Sequence, residues 1–278
     1  MAITRLSYNG VSFEIPVLRN DGNAIKVAPL KDINSNRHHP IIEEINTHWD
    51  LERFKVPRKP ISVGEVRDKS FFSMFGAIRT LDMPIKMPGT DYRLPLDLFQ
   101  FKDTLEQMIA FEHRINPWVD QYYAYVTVDQ GWVSIGETQR KGGCHVDGFQ
   151  GERIRKKNLI NRSYVATDCL PTVFYDQSFN VVKLDEGEHN FFLEFDRQAK
   201  DDLIWRPVAY QILVMDAYTV HRADFASKKL FRTFLRLSYD IIEFDRLGNA
   251  HNPLFNYSWD MVPRDTQSRL TAYLPTRN

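Results

Sequence analysis

Cysteine is scarce in this sequence, long hydrophobic runs are missing, and neither sign of charge is in excess. Two cysteines, Cys144 and Cys169, are too few for a disulfide framework and fit the reduced thiols of a cytosol. No stretch approaches the roughly 18 uninterrupted apolar residues of a membrane span. The opening Met1-Ala-Ile-Thr-Arg-Leu-Ser-Tyr has no apolar run of the secretory kind. These absences lead to the expectation of a cytoplasmic protein with no membrane partner. Lysine plus arginine, at 36, equal aspartate plus glutamate, at 36. General attraction to nucleic acid is therefore disfavoured, and only a local basic patch would provide it. Internal repeats and low-complexity segments are also absent.

What is present is an aromatic-rich chain of 278 residues, 43% hydrophobic and 13% aromatic, long enough for one sizeable core. Short apolar runs separated by turn residues fill the first part, and residues 32–40, with His38 and His39, read as a loop. Prolines 57, 60, 84, 88 and 95 discourage long elements there. Leu105, Met108, Ile109 and Phe111 recur at helical spacing before Pro117, so a helix is expected over residues 101–115. From Tyr122 the chain turns to β-branched and aromatic runs. Strands are expected over 122–128, 132–136, 163–168, 172–175, 190–195, 208–215 and 232–242. No strand–helix alternation argues for a parallel sheet. The expected fold is mainly β, a jelly roll with N-terminal α/β decoration. A single domain is expected, with a mixed region (1–120) packed outside a barrel (121–245) and a C-terminal extension (246–278).

The stretch Cys144-His-Val-Asp-Gly148 carries the chemistry. His145 and Asp147 lie two apart, so on a strand both side chains leave the same face. His221 follows Asp147 after 73 intervening residues, at the end of Val214-Met-Asp-Ala-Tyr-Thr-Val. Two imidazoles and one carboxylate on one side of a metal form a facial triad, the ligand set of non-haem iron(II) oxygenases. A second His-x-Asp pair, His48-Trp-Asp50, is set aside because Asp50 reads as the N-cap of Leu51-Glu-Arg-Phe-Lys. The run Phe231-Arg-Thr-Phe-Leu-Arg-Leu-Ser-Tyr-Asp240 places Arg232, Phe234, Arg236, Ser238 and Asp240 on one face by period 2. Two arginines on a buried strand face call for an anion, and a carboxylate would meet them in bidentate geometry.

The set His145-x-Asp147, His221, Arg232 and Arg236 resembles the iron(II)/2-oxoglutarate-dependent dioxygenase superfamily, whose fold is a double-stranded β-helix. Arg232 and Arg236 stand 11 and 15 residues after His221, a spacing similar to that of the taurine dioxygenase and clavaminate synthase branch. Arg236-Leu-Ser238 also resembles the Arg-x-Ser pair of plant-type members. The two templates disagree over which arginine meets the far carboxylate, and Arg232 is placed first. The gap between Asp147 and His221 is shorter than in taurine dioxygenase, so that subfamily is not carried over whole. The resemblance covers residues 120–245. It implies Fe(II), 2-oxoglutarate and O2 as cofactors, with His145, Asp147 and His221 on the metal and Arg232, Arg236 and Ser238 at the cosubstrate; Thr138 is added there from its place on the approach to His145. It also implies hydroxylation of a small molecule, with release of succinate and CO2, and leaves desaturation or ring formation open. Asp147 argues against the related halogenases, which have a small residue in its place.

Around this set, Gln139 and Thr138 lie on the approach to His145, while Trp205 and Tyr218 offer an aromatic wall for a substrate. The segment from Glu152 to Arg162 has five basic residues and one acidic. As a solvated loop it is unremarkable. As part of the pocket mouth, Arg155, Lys156 and Lys157 would favour an anionic or carrier-bound substrate. Arg236 is open to a substrate, the cosubstrate or an internal acid. Three other readings remain: a cupin-like metal enzyme that does not use 2-oxoglutarate, a non-catalytic jelly-roll binding protein and, third because the net charge is zero, an oxygenase that modifies nucleic acid through the basic segment.

Overall fold

The computed structural model describes residues 2–8, 11–17, 49–140, 142–147, 161–184 and 189–263. The basic segment at 152–160, with Arg155, Lys156 and Lys157, lies outside them, as do residues 18–48, including the whole 32–40 loop. Among the described residues the chain is mainly β, and every pairing within its sheets is antiparallel.

The elements in chain order are strands β1 (Ala2–Tyr8), β2 (Val11–Val17) and β3 (Ile61–Glu65), then the single-turn helix α1 (Lys69–Phe72) and strand β4 (Arg79–Lys86). Helix α2 (Lys102–Ile115) follows, then β5 (Tyr123–Val133), β6 (Arg162–Thr167) and β7 (Val173–Tyr175). Last come helix α3 (Phe191–Gln198), β8 (Ile204–Trp205), β9 (Gln211–Asp216), β10 (His221–Arg222) and β11 (Leu230–Asp240). Strands β1 and β2 form a hairpin. A six-stranded sheet runs β3-β9-β6-β11-β5-β4, and a three-stranded sheet runs β10-β7-β8. The first 120 residues thus supply both edge strands of the large sheet as well as the helix that covers it. Asp50 caps a turn of 3-10 helix at Leu51–Lys55 through a hydrogen bond from the Glu52 N–H, as expected from the sequence.

Alternation along the large sheet separates two cores. Ala124, Val126, Val128, Tyr164, Ala166, Ile212, Val214, Leu235 and Leu237 face α2, against Leu105, Met108 and Ile109. Each fully buried Val, Leu, Ile or Met among them contributes about 1.5–3 kcal/mol by leaving water. Val165, Leu213, Met215 and Phe234 face the other way and meet Phe174 and Trp205 of the small sheet. The two sheets therefore pack face to face over a thin apolar layer. A third cluster, with Phe54, Cys144, Val146, Phe191, Phe195 and Tyr218, also includes Tyr175 and Val220 at the small sheet.

Helix α2 lies where its spacing put it. Residues 191–198 do not: the run Phe-Phe-Leu-Glu-Phe suggested a strand and is helix α3. The Asn190 side chain accepts from the Phe192 and Leu193 N–H groups, which caps the first turn. Phe191 and Phe195, four apart, then bury on one side. Local capping and the helical spacing of two rings outweighed the strand preference of aromatics. A second correction concerns the expected break between 128 and 132: β5 runs unbroken through Gly131, which pairs with Arg232. A Cβ at Gly131 would come within 3.2 Å of Arg79 Nη2, so the glycine marks a close approach rather than a turn.

Candidate metal centre

The three residues expected to hold a metal come together. One ligand atom each from His145, Asp147 and His221 lies within 4.8 Å of the others. The sequence gap closes through a two-way backbone bridge: His145 N donates to His221 O at 2.9 Å, and His221 N to His145 O at 2.9 Å. The ring centroids of His145 and His221 stand 4.5 Å apart as a result. Asp216 sets up the approach to β10. Its Oδ1 accepts from the Tyr218 N–H at 3.0 Å and the Thr219 hydroxyl at 2.7 Å, an Asx-type turn that leads into His221.

Both imidazoles have a fixed tautomer. His145 Nδ1 lies 2.8 Å from Gly143 O, and His221 Nδ1 lies 2.9 Å from Thr219 O. A carbonyl only accepts, so Nδ1 carries the proton and Nε2 carries the lone pair that a metal would take. The Asp147 carboxylate is held from the facing sheet. Ser163 Oγ donates to Oδ2 at 2.9 Å, and Arg236 Nη1 donates to Oδ1 at 3.1 Å. His221 Nε2 is 3.9 Å from that same Oδ1. The site thus joins the two sheets: His221 comes from the small one, His145 is bridged to it, and the carboxylate's supports come from the large one. Burial alone would push the Asp147 carboxyl up, but Arg236, His221, His145 and the Ser163 hydroxyl hold it well below the usual carboxylate range.

The other expected site residues have definite places. Arg236 bridges two acids, Asp147 and Asp82, the latter through Nη2 at 2.7 Å; its Nε is buried without a hydrogen bond. Ser238 lies 3.0 Å from Ser163 and so reaches Asp147 through a second hydroxyl. Arg232 is 1% exposed. Its Nε donates to the carbonyls of Cys169 and Leu170 at 3.2 and 2.9 Å, and its Nη1 to Gln139 Oε1 at 2.6 Å. Burial lowers this guanidinium to about 10. Thr138 uses its hydroxyl on Arg140 O at 2.7 Å. Trp205 packs on Phe174, with centroids 5.8 Å apart, and Phe174 is 5.9 Å from His221. Tyr218 accepts from the Asp50 N–H at 2.9 Å and is buried with Cys144 and Val146, residues that alternate with the ligands and point away from them. Both cysteines are free, and burial pushes each thiol up to about 12.

Four contributors went unnoticed in the sequence. Asp196 of α3 accepts from the Cys144 N–H at 2.7 Å, and Phe192 sets its ring edge-on against His145 at 6.0 Å. The mis-assigned helix is therefore what steadies the first ligand. Ser163 gave no signal beyond its place on a strand. Asp82 did: an acid between Leu81 and Met83 in an apolar strand needs a partner. It sits at a bulge in β4, with φ +45, its carboxylate turned inward to Arg236 and to the Thr127 hydroxyl at 2.9 Å.

No family model matches the sequence, and no curated protein matches it. A solved structure described as "non-heme monooxygenase; ThoJ apo" aligns with 81% of this chain and 93% of its own, at 10% identity and a TM-score of 0.34. A likeness of that size assigns neither fold nor activity here. The donor set itself fits a metal: two imidazoles with preset tautomers and an ionised carboxylate, oriented by hydrogen bonds on their far sides. No helix among the described residues is long and apolar enough to cross a membrane.

Proposed function

We propose that this chain is an iron(II)- and 2-oxoglutarate-dependent oxygenase that hydroxylates a small molecule. The observation that carries the reading is the His145, Asp147 and His221 cluster with both Nδ1 atoms bonded to backbone carbonyls. Two nitrogens and one oxygen on one side of an ion leave positions open, as oxygen chemistry requires. The packed pair of antiparallel sheets supports a double-stranded β-helix as the framework. The two free thiols fit a reducing cytoplasm.

When bound, iron and 2-oxoglutarate supply the oxidising chemistry, consuming O2 and releasing succinate and CO2. The chain's own residues do the rest. His145 and His221 present Nε2 because Gly143 and Thr219 hold the other nitrogen. Arg236 and Ser163 keep Asp147 ionised and oriented. Arg232 provides a buried positive charge for the far carboxylate through Nη2, the nitrogen it does not commit to Cys169, Leu170 or Gln139. Phe174 and Trp205 supply an apolar wall beside His221 that excludes water.

The test is anaerobic addition of Fe(II), then 2-oxoglutarate, while recording the visible metal-to-ligand charge-transfer band. The band should form in the wild type and vanish in His145→Ala. It should demand much more 2-oxoglutarate in Arg232→Ala. One observation favours a second reading, a metal enzyme of the cupin kind without 2-oxoglutarate: Nε and Nη1, two of the three Arg232 nitrogens, are already bonded to Cys169, Leu170 and Gln139. Metal binding with no band, and indifference to Arg232→Ala, would select that reading. Absence of metal binding would leave a non-catalytic binding protein.

A further inference from the structure

Three guanidinium groups line the inner face of the large sheet near the metal centre, and they are committed very differently. Arg236 uses both Nη atoms on carboxylates. Arg232 gives Nε and Nη1 to carbonyls and to Gln139. Arg140 has neither arrangement. Its guanidinium meets one carboxylate, Asp129, whose Oδ2 lies 3.5 Å from Nη1, and the ring of Phe234. A charge-assisted hydrogen bond would be about 2.7–2.9 Å. Its side chain remains 29% exposed.

The placement of Arg140 is nonetheless built. Thr138 holds the Arg140 carbonyl, and Gln139 donates to Asp129 O at 3.1 Å and Arg232 O at 3.0 Å. The approach to His145 is thus pinned across β5 and β11, and a pinned donor costs little further ordering when a ligand arrives. The guanidinium lies over the Phe234 ring, 5.2 Å from its centroid, and Arg232 lies at 5.2 Å from the same ring. Phe234 is two residues before Arg236 on the same strand face, about 6.5–7 Å along the strand. Arg140 therefore stands one step along the sheet from the residue that grips Asp147.

Charge points the same way. Besides the exposed Arg79, the region holds Arg140, Arg232, Arg236 and Arg246 against Asp82, Asp129, Asp147 and Asp168, four against four. A divalent cation on the triad leaves two positive charges without a counter-charge. In a half-buried pocket an excess of that kind is costly unless an anion offsets it.

We propose that Arg140 is a second anion-binding residue of this pocket, beside Arg232, taking a carboxylate of a small ligand near the metal. The proposal rests on the reading of His145, Asp147 and His221 as a metal site. The carboxylate belongs either to the cosubstrate or to the substrate, and the two are separable.

The experiment uses the full chain loaded anaerobically with Mn(II), titrated by calorimetry with 2-oxoglutarate and then with glutarate, which has two carboxylates and no ketone. Wild type, Arg140→Gln and Arg140→Lys are compared, with Mn(II) affinity and Tm measured for each. If Arg140 holds the cosubstrate, 2-oxoglutarate binds Arg140→Gln about 10- to 100-fold more weakly, the factor carried by one charge-assisted hydrogen bond. If it holds the substrate, 2-oxoglutarate affinity is unchanged, and glutarate binding to the 2-oxoglutarate-saturated protein is lost instead. In either case Mn(II) affinity stays at the wild-type value and Arg140→Lys recovers part of the loss. Equal binding of both anions by wild type and Arg140→Gln overturns the proposal, as does their failure to bind the wild type. A wild type that binds no Mn(II) refutes the metal-site reading. Glutarate binding that then still depends on Arg140 would uphold this site alone.

Discussion

The two faces of the large sheet are made by the same strands and do opposite work. Toward α2, β11 presents Leu235, Leu237 and Tyr239, which bury among aliphatic neighbours. Toward the small sheet it presents Arg232, Phe234, Arg236 and Ser238, of which one is apolar. On the outer face Tyr239 meets Tyr92 and Thr233 meets Gln130, and the polar cluster at α2 is Glu112, clamped by Arg162, Tyr164 and Asn116. Every member of that cluster meets another, so it fastens helix to sheet. On the inner face the polar groups converge on Asp147, and some donors are left over, such as Arg236 Nε. Satisfied polar groups mark the stabilising face, and incompletely used ones mark the face that receives a ligand.

The sharpest way to break this contrast is to remove a ligand. His221→Ala should abolish metal binding, a loss of well over 100-fold by calorimetry, yet leave Tm close to that of the metal-free wild type. A large fall in Tm would mean that the inner face is structural after all. On the outer face the outcome reverses. Leu105→Ala should cost about 2–5 kcal/mol in denaturant unfolding, with metal affinity unchanged. Next comes Asp82→Asn. Asp82 offsets part of the Arg236 charge that competes with a cation for Asp147, so metal binding should weaken about 10- to 100-fold. The double variant with Arg236→Met should not add to that loss, because Asp82 acts through Arg236.

The smallest effect is a titration. Lys86, buried at the end of β4, donates to the carbonyls of Met87, Asp120 and Tyr122. Burial lowers its ammonium below the ordinary 10.5, with Asp120 and Asp91 opposing. Between the lowered value and 10.5 the unfolded chain binds more protons than the folded one, so stability rises with pH in that window. The Tm difference between wild type and Lys86→Met should therefore grow in favour of the wild type as pH climbs toward 10.5. A flat difference would show that the ammonium is not strained by burial.

Much of this was legible in the residues. Helix α2 followed from the spacing of Leu105, Met108 and Ile109. The two faces of β11 followed from period 2. The ligand candidates followed from residue type and spacing. These are local patterns, and the backbone turns them directly into geometry. Helix α3 was missed because three phenylalanines resemble a strand until the Asn190 cap is seen to close the first turn. Asp82 was missed because its inward turn depends on a bulge that its own sequence does not announce.

The sequence by itself therefore determined the mainly β character, the strands that carry the site and the residue types able to bind a metal. Only the tertiary structure decided which of those groups meet. The backbone bridge between His145 and His221 joins residues 76 apart in the chain. The hold of Arg236 on Asp147 crosses from one sheet to the other. The unequal commitments of Arg140, Arg232 and Arg236 arise because each guanidinium takes the nearest acceptor in space, and nearness in space is set by how the sheets pack rather than by order along the chain.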